Sequence, residues 1–169
     1  MCFINCLIRE KPKRPCRKVK TNLRIRMQLI SANKKNRVEL LYPELSFTLV
    51  GFCFDVHNEI GSFGKEKQYT DMFEQRLKEC QMPYKREFAI GDTGNKTDFF
   101  VSEKIILEFK AKRFLQEADF RQIQRYLQAT GIKLGLLVNF GSSRVQAERV
   151  VFMDRPHPIR LSYSQILAD

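Results

Sequence analysis

The hydrophobic residues become regularly spaced from Tyr42 onward. Pro43 and Glu44 suit the first turn of a helix, and the apolar residues that follow recur every three or four positions, as on one helical face. They are Leu45, Leu49, Phe52, Cys53, Val56 and Ile60. A second such stripe covers about residues 65–81 and stops before Pro83, which cannot continue a helix. The pattern therefore predicts two helices, separated by a turn at Gly61–Gly64, that form one layer.

Three extended segments follow, at about residues 84–90, 96–101 and 104–112. The turn-forming stretch GDTGN separates the first two, and a tight turn at Ser102-Glu103 separates the others. A helix is then expected from about Gln116 to Thr130, with Gly131 as its C-cap. Residues 134–138 are apolar on both faces, which is typical of a central strand covered on both sides. A short strand at 149–152 and a last helical turn at 162–167 complete the expectation.

This order of elements predicts an α/β fold with a mixed sheet flanked by helices. At 169 residues the chain suits a single domain. We expect residues 39–155 to form that domain, residues 1–38 to be a basic, disordered N-terminal arm, and residues 156–169 to be a C-terminal tail.

All of the formal net positive charge lies in the predicted arm. The chain carries a formal charge of +11, and residues 1–38 hold 12 Lys and Arg against the single acidic residue Glu10. The remaining residues carry 18 basic and 18 acidic side chains, so a phosphate-binding groove in the folded part must be a local patch. The arm is either a non-specific nucleic-acid attachment, a solvated tail, or an extension outside the native domain, with Met27 as an alternative start.

Cysteine usage and hydropathy bear on the compartment. The five cysteines include no CxxC pair, so neither a disulfide framework nor a zinc site is indicated, and reduced thiols in a cytoplasm explain them simply. The apolar start MCFINCLI is too short for a signal sequence, and no run of 18 apolar residues follows. We therefore expect a cytoplasmic protein that does not associate with a membrane.

The third extended segment carries the candidate chemistry. Because strand side chains alternate, Glu108 and Lys110 share one face. A three-residue hairpin loop at 102–104 would place Asp98 opposite Glu108 on that face, whereas a two-residue loop would separate them. Two opposed carboxylates repel each other unless they share a divalent cation, so the pair suits a metal clamp for phosphodiester hydrolysis, with Lys110 beside the attacking water. By itself, E-x-K in a strand is a weak signal, and its spacing alone favours a salt bridge on an exposed sheet face.

Several stretches make residues 42–152 resemble the bacterial GxxExxY proteins, a branch of the PD-(D/E)XK nuclease superfamily. The matching stretches are VHNEIG at 56–61, Glu66 with Tyr69, TDF at 97–99, LEFKAK at 107–112, QIQRYL at 122–127 and TGIKLGLLVNF at 130–140. Two departures stand out. Phe63 occupies the place of the family's glycine, with Gly64 one position later, and Thr97 replaces the proline often found before the aspartate.

The resemblance implies an αβββαβ, restriction-endonuclease-like core with an extra N-terminal helix. It also implies a nuclease that uses Mg²⁺, with Mn²⁺ as a substitute, and that acts on nucleic acid, DNA rather than RNA. The residues it assigns to the catalytic site are Asp98, Glu108, Lys110, Glu66, Gln122 and Tyr126, with Asp98, Glu108 and Glu66 as metal ligands. Candidate phosphate-binding residues cluster in sequence around this set: Lys112, Arg113, Arg121 and Arg125. The oligomeric state stays open.

Each remaining residue also has a structural interpretation. Glu66 is equally an ordinary acidic residue in a first helical turn, and Tyr69 and Tyr126 suit the core with a hydroxyl at its edge. His57 suits a hydrogen bond at a helix end. The basic residues after the third strand suit a charged rim paired with Glu117 and Asp119. The competing functions are a non-catalytic nucleic-acid-binding or protein-interaction module, and a defence or toxin subunit that acts on RNA.

Overall fold

The computed structural model describes residues 40–91 and 94–152, together with the backbone of residues 160–162. The predicted basic arm at 1–38 lies outside these residues. So does the predicted helical turn beyond Ser162.

Three helices are present among the described residues: α1, Pro43–Ile60; α2, Glu66–Glu79; and α3, Glu117–Thr130. As predicted, Pro43 lies in the first turn of α1, and Gly61, with a φ of 80°, follows its last residue. Gly131, with a φ of 69°, caps α3 as expected, because a left-handed residue costs glycine little.

A six-stranded sheet has its strands in chain order. The strands are β1, Tyr84–Ala89; β2, Lys96–Val101; β3, Ile105–Lys110; β4, Leu134–Asn139; β5, Gln146–Val151; and β6, Arg160–Ser162. β3 and β4 are parallel and every other neighbouring pair is antiparallel, so the sheet is mixed, as predicted. The αβββαβ order is confirmed by α2, β1, β2, β3, α3 and β4, with α1 as the additional N-terminal helix.

Each face of the sheet has its own hydrophobic core. Helices α1 and α2 pack on the face that contains Leu107 and Phe109, and α3 packs on the face that contains Ile106. Every residue of β4 is buried, which confirms that it is a central strand covered on both sides. The alternation of β3 thus turns Glu108 and Lys110 toward the α3 side.

Two predictions about the C-terminal strands were wrong. β5 begins at Gln146, three residues before the predicted start, and Ser162 lies in β6 instead of opening a helical turn. The start of β5 looks polar in sequence because it includes Gln146, Glu148 and Arg149, although Arg149 is a core residue with 1% exposure. Its guanidinium donates to the Ser46 hydroxyl and, at 2.6 Å, to the Leu41 carbonyl, so the buried charge is hydrogen-bonded at the start of α1.

Candidate active site

The hairpin between β2 and β3 has the three-residue loop on which the site prediction depended. Val101 pairs with Ile105, and the pairing continues to Phe99 and Leu107. Ser102 and Glu103 adopt left-handed φ values of 52° and 55°, which turn the chain tightly. Extending this register by one position brings residue 98 alongside residue 108 on the α3 face.

Short contacts gather the predicted residues around the end of β3. The Phe109 N–H donates to Asp98 Oδ2 at 2.6 Å, and Lys110 Nζ donates to Glu108 Oε1 at 2.7 Å. From α3, Gln122 Nε2 reaches the same Glu108 oxygen at 3.0 Å and lies 2.7 Å from the Tyr126 hydroxyl. The structure therefore brings five of the six predicted site residues together. Strands β2 and β3 contribute the charged side chains of Asp98, Glu108 and Lys110, and α3 contributes Gln122 and Tyr126.

Burial separates this arrangement from a surface salt bridge. The side chains of Glu108 and Lys110 are only 7% and 15% exposed. An ion pair on an open sheet face would be mostly solvated. The alternative interpretation of E-x-K as a solvent-facing pair is therefore wrong for this strand.

The pKa values of both carboxylates are raised in this site. Burial, together with the charge of Glu108, raises the pKa of Asp98 from 3.8 to about 7. Burial also raises the pKa of Glu108, against the opposing effect of Lys110. For Lys110, burial acts to lower the pKa, but the hydrogen bond and charge of Glu108 outweigh it and raise the pKa. The pocket thus holds more negative charge than one ammonium group balances.

Thr97 shows which carboxylate oxygens remain open to a ligand. Its hydroxyl lies 2.7 Å from the Leu107 carbonyl and 3.3 Å from Glu108 Oε2, and its single proton serves the shorter contact. Glu108 Oε2 therefore has only this longer contact as its donor, and Asp98 Oδ1 accepts no hydrogen bond within the described part of the chain. A proline at position 97 would lack the hydroxyl that ties β2 to β3 here.

Glu66 stands apart from the other predicted ligands. It is exposed in the first turn of α2, and its charge contributes to raising the pKa of both Asp98 and Glu108. Over residues 40–91 and 94–152, no three His, Cys, Asp or Glu side chains lie close enough to hold one metal ion. Asp98 and Glu108 are therefore a pair, and Glu66 acts on them as a nearby charge.

Tyr69 explains the shifted glycine of the turn before α2. Its buried hydroxyl donates to the Gly61 carbonyl at 2.7 Å and accepts from the Gly64 N–H at 2.9 Å. A Cβ on Gly64 would lie 2.8 Å from Cζ of Tyr69, so this position has room only for glycine. The core interpretation of Tyr69 is confirmed, and its hydroxyl shapes the turn from which Glu66 emerges.

The predicted phosphate-binding residues divide into two groups. Lys112 Nζ forms an ion pair with Asp119 at 2.5 Å, as the charged-rim interpretation predicted. Arg113, Arg121 and Arg125 are exposed, and none of them forms an ion pair with another described residue. These three arginines keep their charge available at the surface.

Tyr126 and His57 both have structural contacts. Tyr126 is 5% exposed in the α3-side core, which confirms it as a core residue, and its hydroxyl faces Gln122. His57, in the last turn of α1, donates from Nε2 to the Ser142 carbonyl at 3.0 Å. That bond joins α1 to the loop after β4, so His57 has the structural partner that its sequence did not reveal.

Asn139 supports the site, and its role was not predicted. It is fully buried at the end of β4, and its Oδ1 accepts from the N–H groups of Lys112 at 3.1 Å and Gly141 at 3.2 Å. The sequence feature that could have indicated this role is the position of Asn139 directly after the apolar residues 134–138. These bonds draw the chain out of the sheet after Lys110, and β3 consequently ends two residues before its predicted limit.

No helix among the described residues is long and apolar enough to cross a membrane.

Comparison with known families gives one match. The profile of the PD-(D/E)XK nuclease superfamily matches residues 43–150, which run from the start of α1 into β5. No curated protein and no solved structure is significantly similar to the chain. The match covers more than half of the 169 residues and includes the clustered Asp98, Glu108 and Lys110. The chain therefore belongs to the PD-(D/E)XK nuclease superfamily.

Proposed function

We propose that the protein is a Mg²⁺-dependent nuclease that hydrolyses phosphodiester bonds in DNA, with Mn²⁺ as a substitute metal. The observation that carries the proposal is the convergence of Asp98, Glu108 and Lys110 in one partly buried pocket, with contacts of 2.6 and 2.7 Å around Phe109 and Glu108. The motifs quoted above support a place in the GxxExxY branch of the superfamily.

The donor set suits a hard divalent cation. Among the described residues, Asp98 Oδ1 accepts no hydrogen bond, and Glu108 Oε2 accepts only the longer one from the Thr97 hydroxyl at 3.3 Å. Mg²⁺ prefers carboxylate oxygens of this kind as ligands. Glu66 adds a third negative charge at the rim. When bound, Mg²⁺ polarises a phosphate oxygen and makes a water molecule more acidic.

Lys110 would act on the water and on the charge that develops at phosphorus. Its ammonium group has three N–H donors, and one of them is used on Glu108 Oε1 at 2.7 Å. The others are left to orient the attacking water and to stabilise the additional negative charge of the transition state.

Gln122 and Tyr126 would serve as positioning residues. The amide of Gln122 holds Glu108 Oε1 at 3.0 Å, and the Tyr126 hydroxyl lies 2.7 Å from that amide nitrogen. This keeps the carboxylate in one rotamer and leaves Oε2 for the cation. Arg121 and Arg125, exposed on the same helix, would contact the phosphate backbone, and Arg113 would extend that contact.

Cleavage of supercoiled plasmid tests the proposal. We expect wild type to nick or linearise the plasmid with Mg²⁺ or Mn²⁺ but not with EDTA. Lys110→Ala and Asp98→Ala should each lower the rate by about 100-fold or more, because each removes a group that acts on the transition state. Lys104→Ala, an exposed lysine before β3, is the matched control and should cleave normally. Equal cleavage by all four proteins, or none by wild type, would contradict the proposal.

A second candidate is a non-catalytic nucleic-acid-binding module. It is favoured by the concentration of 12 basic residues in the first 38, outside the nuclease core. This function predicts metal-independent DNA binding that weakens steeply with salt and disappears when residues 1–38 are deleted. Metal-dependent cleavage by the truncated protein would decide against it.

A further inference from the structure

Large apolar side chains are buried or half-buried in the described part of the chain, except for three that are exposed. Phe63 is 100% exposed, Phe114 is 63% exposed and Phe54 is 40% exposed. Single exposed apolar residues are common on protein surfaces. Two of these three, however, lie in segments that connect to the end of β3, where the candidate active site lies, and both have basic neighbours in sequence.

Phe63 is connected to the end of β3 through a short series of contacts. It is held in the turn whose flanking residues, Gly61 and Gly64, are both hydrogen-bonded to the Tyr69 hydroxyl. The Tyr69 ring stacks on Phe140 with centroids 4.4 Å apart. The N–H of Phe140 in turn donates to the Lys110 carbonyl at 2.8 Å. A chain of three direct contacts thus joins the turn that carries Phe63 to the last residue of β3.

Phe114 follows the same end of β3 along the chain. It lies in the segment between Lys110 and α3, and Asn139 anchors the start of that segment through the Lys112 N–H. The Arg113 guanidinium lies 5.1 Å from the centre of the Phe114 ring, a cation–π distance. The ring is therefore presented to solvent together with a positive charge.

Both aromatic residues have basic neighbours in sequence. Lys65 and Lys67 follow Phe63 and are exposed, with the acidic Glu66 between them, and Arg113 precedes Phe114. An aromatic ring next to a cation matches a nucleotide, whose base offers a flat π surface and whose phosphate offers a negative charge. In a duplex the faces of the bases are already stacked on one another, so only unpaired bases present a free face to a phenylalanine.

We propose that Phe63 and Phe114 stack on unpaired bases at the entrance to the site, so that its preferred substrate is single-stranded nucleic acid or a duplex with an unpaired segment. The proposal rests on the nuclease function proposed above, for which it names the class of substrate. It accounts for the exposure of two phenylalanines whose neighbours are basic.

Intrinsic fluorescence provides a test that does not depend on cleavage. The chain contains no tryptophan, so Phe63→Trp and Phe114→Trp each introduce a single reporter that retains the aromatic face. The full-length variants are titrated in EDTA with an oligothymidylate of about 12 nucleotides, within the size range that stacking surfaces bind. Phe54→Trp, on α1, is the matched control. We expect quenching of the reporters at 63 and 114 and none at 54.

Affinity measurements complete the test. Anisotropy of the labelled oligothymidylate should show about 5-fold weaker binding for Phe63→Ala and for Phe114→Ala, and about 25-fold weaker binding for the double variant, as expected for lost stacking. Phe54→Ala should bind as wild type does. A paired duplex of the same length should bind less tightly than the single strand to wild type. Because both target rings are largely exposed, these substitutions leave the hydrophobic core intact.

The outcomes separate this proposal from the nuclease function. Unquenched reporters, unchanged affinities or tighter binding of the duplex would overturn the stacking proposal, even if wild type cleaves plasmid with Mg²⁺. Quenching without cleavage would support stacking and refute the nuclease. Unquenched reporters together with a dimer that Phe63→Ala dissociates would overturn the proposal in favour of contact between two copies of the chain.

Discussion

Replacing Asp98 with asparagine is expected to stabilise the metal-free protein at pH 8 while abolishing Mg²⁺-dependent cleavage. The amide is close to the carboxylate in shape and still offers an oxygen to the Phe109 N–H, which lies 2.6 Å from Asp98 Oδ2. What the substitution removes is a negative charge that faces Glu108 in a partly buried pocket. The substitution is therefore expected to raise the stability of the metal-free protein and to lower its cleavage activity.

The pKa of Asp98 sets the magnitude. Raising it from 3.8 to about 7 means that the folded protein binds this proton more tightly than the unfolded chain does. At about 1.36 kcal/mol per pKa unit, the ionised form costs up to about 4 kcal/mol of folding free energy above pH 7. Burying the asparagine amide cancels part of the gain. We therefore expect the variant to be about 2 kcal/mol more stable at pH 8.

The sign of the pH dependence follows from the same linkage. Between pH 3.8 and about 7 the folded state carries more protons at position 98 than the unfolded state, so wild-type stability falls as pH rises through that range. Toward pH 4 the unfolded chain is also becoming protonated, and the penalty fades. The advantage of Asp98→Asn should accordingly be largest at pH 8 and small near pH 4.

Urea denaturation followed by far-UV circular dichroism measures this difference, since the chain has no tryptophan to report unfolding. The experiment is run in EDTA at both pH values, with Asp55→Asn, an exposed carboxylate on α1, as the control. Adding Mg²⁺ should stabilise wild type and not the Asp98 variant, because only wild type keeps both carboxylates. A variant no more stable than wild type at pH 8, or equally stabilised at both pH values, would refute the reasoning.

Three further substitutions have defined outcomes. Gly141→Ala should lose about 2 kcal/mol of stability in the same urea assay, because the added Cβ would lie 2.5 Å from the backbone oxygen of Lys112. Gly51→Ala is the contrasting variant: its Cβ would meet open space inside α1, so the protein should gain up to about 1 kcal/mol of stability. The pKa of Glu74 is lowered to about 2 by its hydrogen bond to Tyr84, despite partial burial, so the cost of Glu74→Gln should be full above pH 4.5 and shrink as pH falls toward 2 in acid denaturation curves. Gln122→Ala should slow plasmid cleavage about 10-fold, because the Gln122 amide holds the Glu108 carboxylate. Gln128→Ala, at an exposed position of the same helix, should cleave at the wild-type rate. Equal rates for the two variants would contradict the positioning role of Gln122.

The central part of the fold was predictable because its signals are local. The apolar run from Leu134 to Val138 identified a covered strand, and the alternation of β3 placed Glu108 and Lys110 on one face. The hairpin register depended on the length of the loop at 102–104, which the sequence restricted to two alternatives. Each of these inferences used residues within about one strand length of one another.

What was missed depends on contacts between distant segments. Arg149 interrupts the apolar pattern of β5, and its burial makes sense only beside Ser46 and the Leu41 carbonyl, about one hundred positions away. The hydrogen bonds of Asn139 likewise become evident only once β3 and β4 lie in parallel register. The relation of Glu66 to the carboxylate pair depends on how α2 docks, which periodicity does not specify.

The loop at 102–104 also limits how this protein can change in length. Removing or adding one residue there would shift the register of β2 against β3 by one position. The side chain of either residue 98 or residue 108 would then point toward the hydrophobic core under α1 and α2. The site does not restrict the turn between β1 and β2 in this way, because none of the contacts described around Asp98, Glu108 and Lys110 involves a residue of β1. Insertions and deletions tolerated during evolution should therefore accumulate in the turn between β1 and β2. They should be absent from the loop at 102–104, because the length of that loop fixes the distance between the two carboxylates.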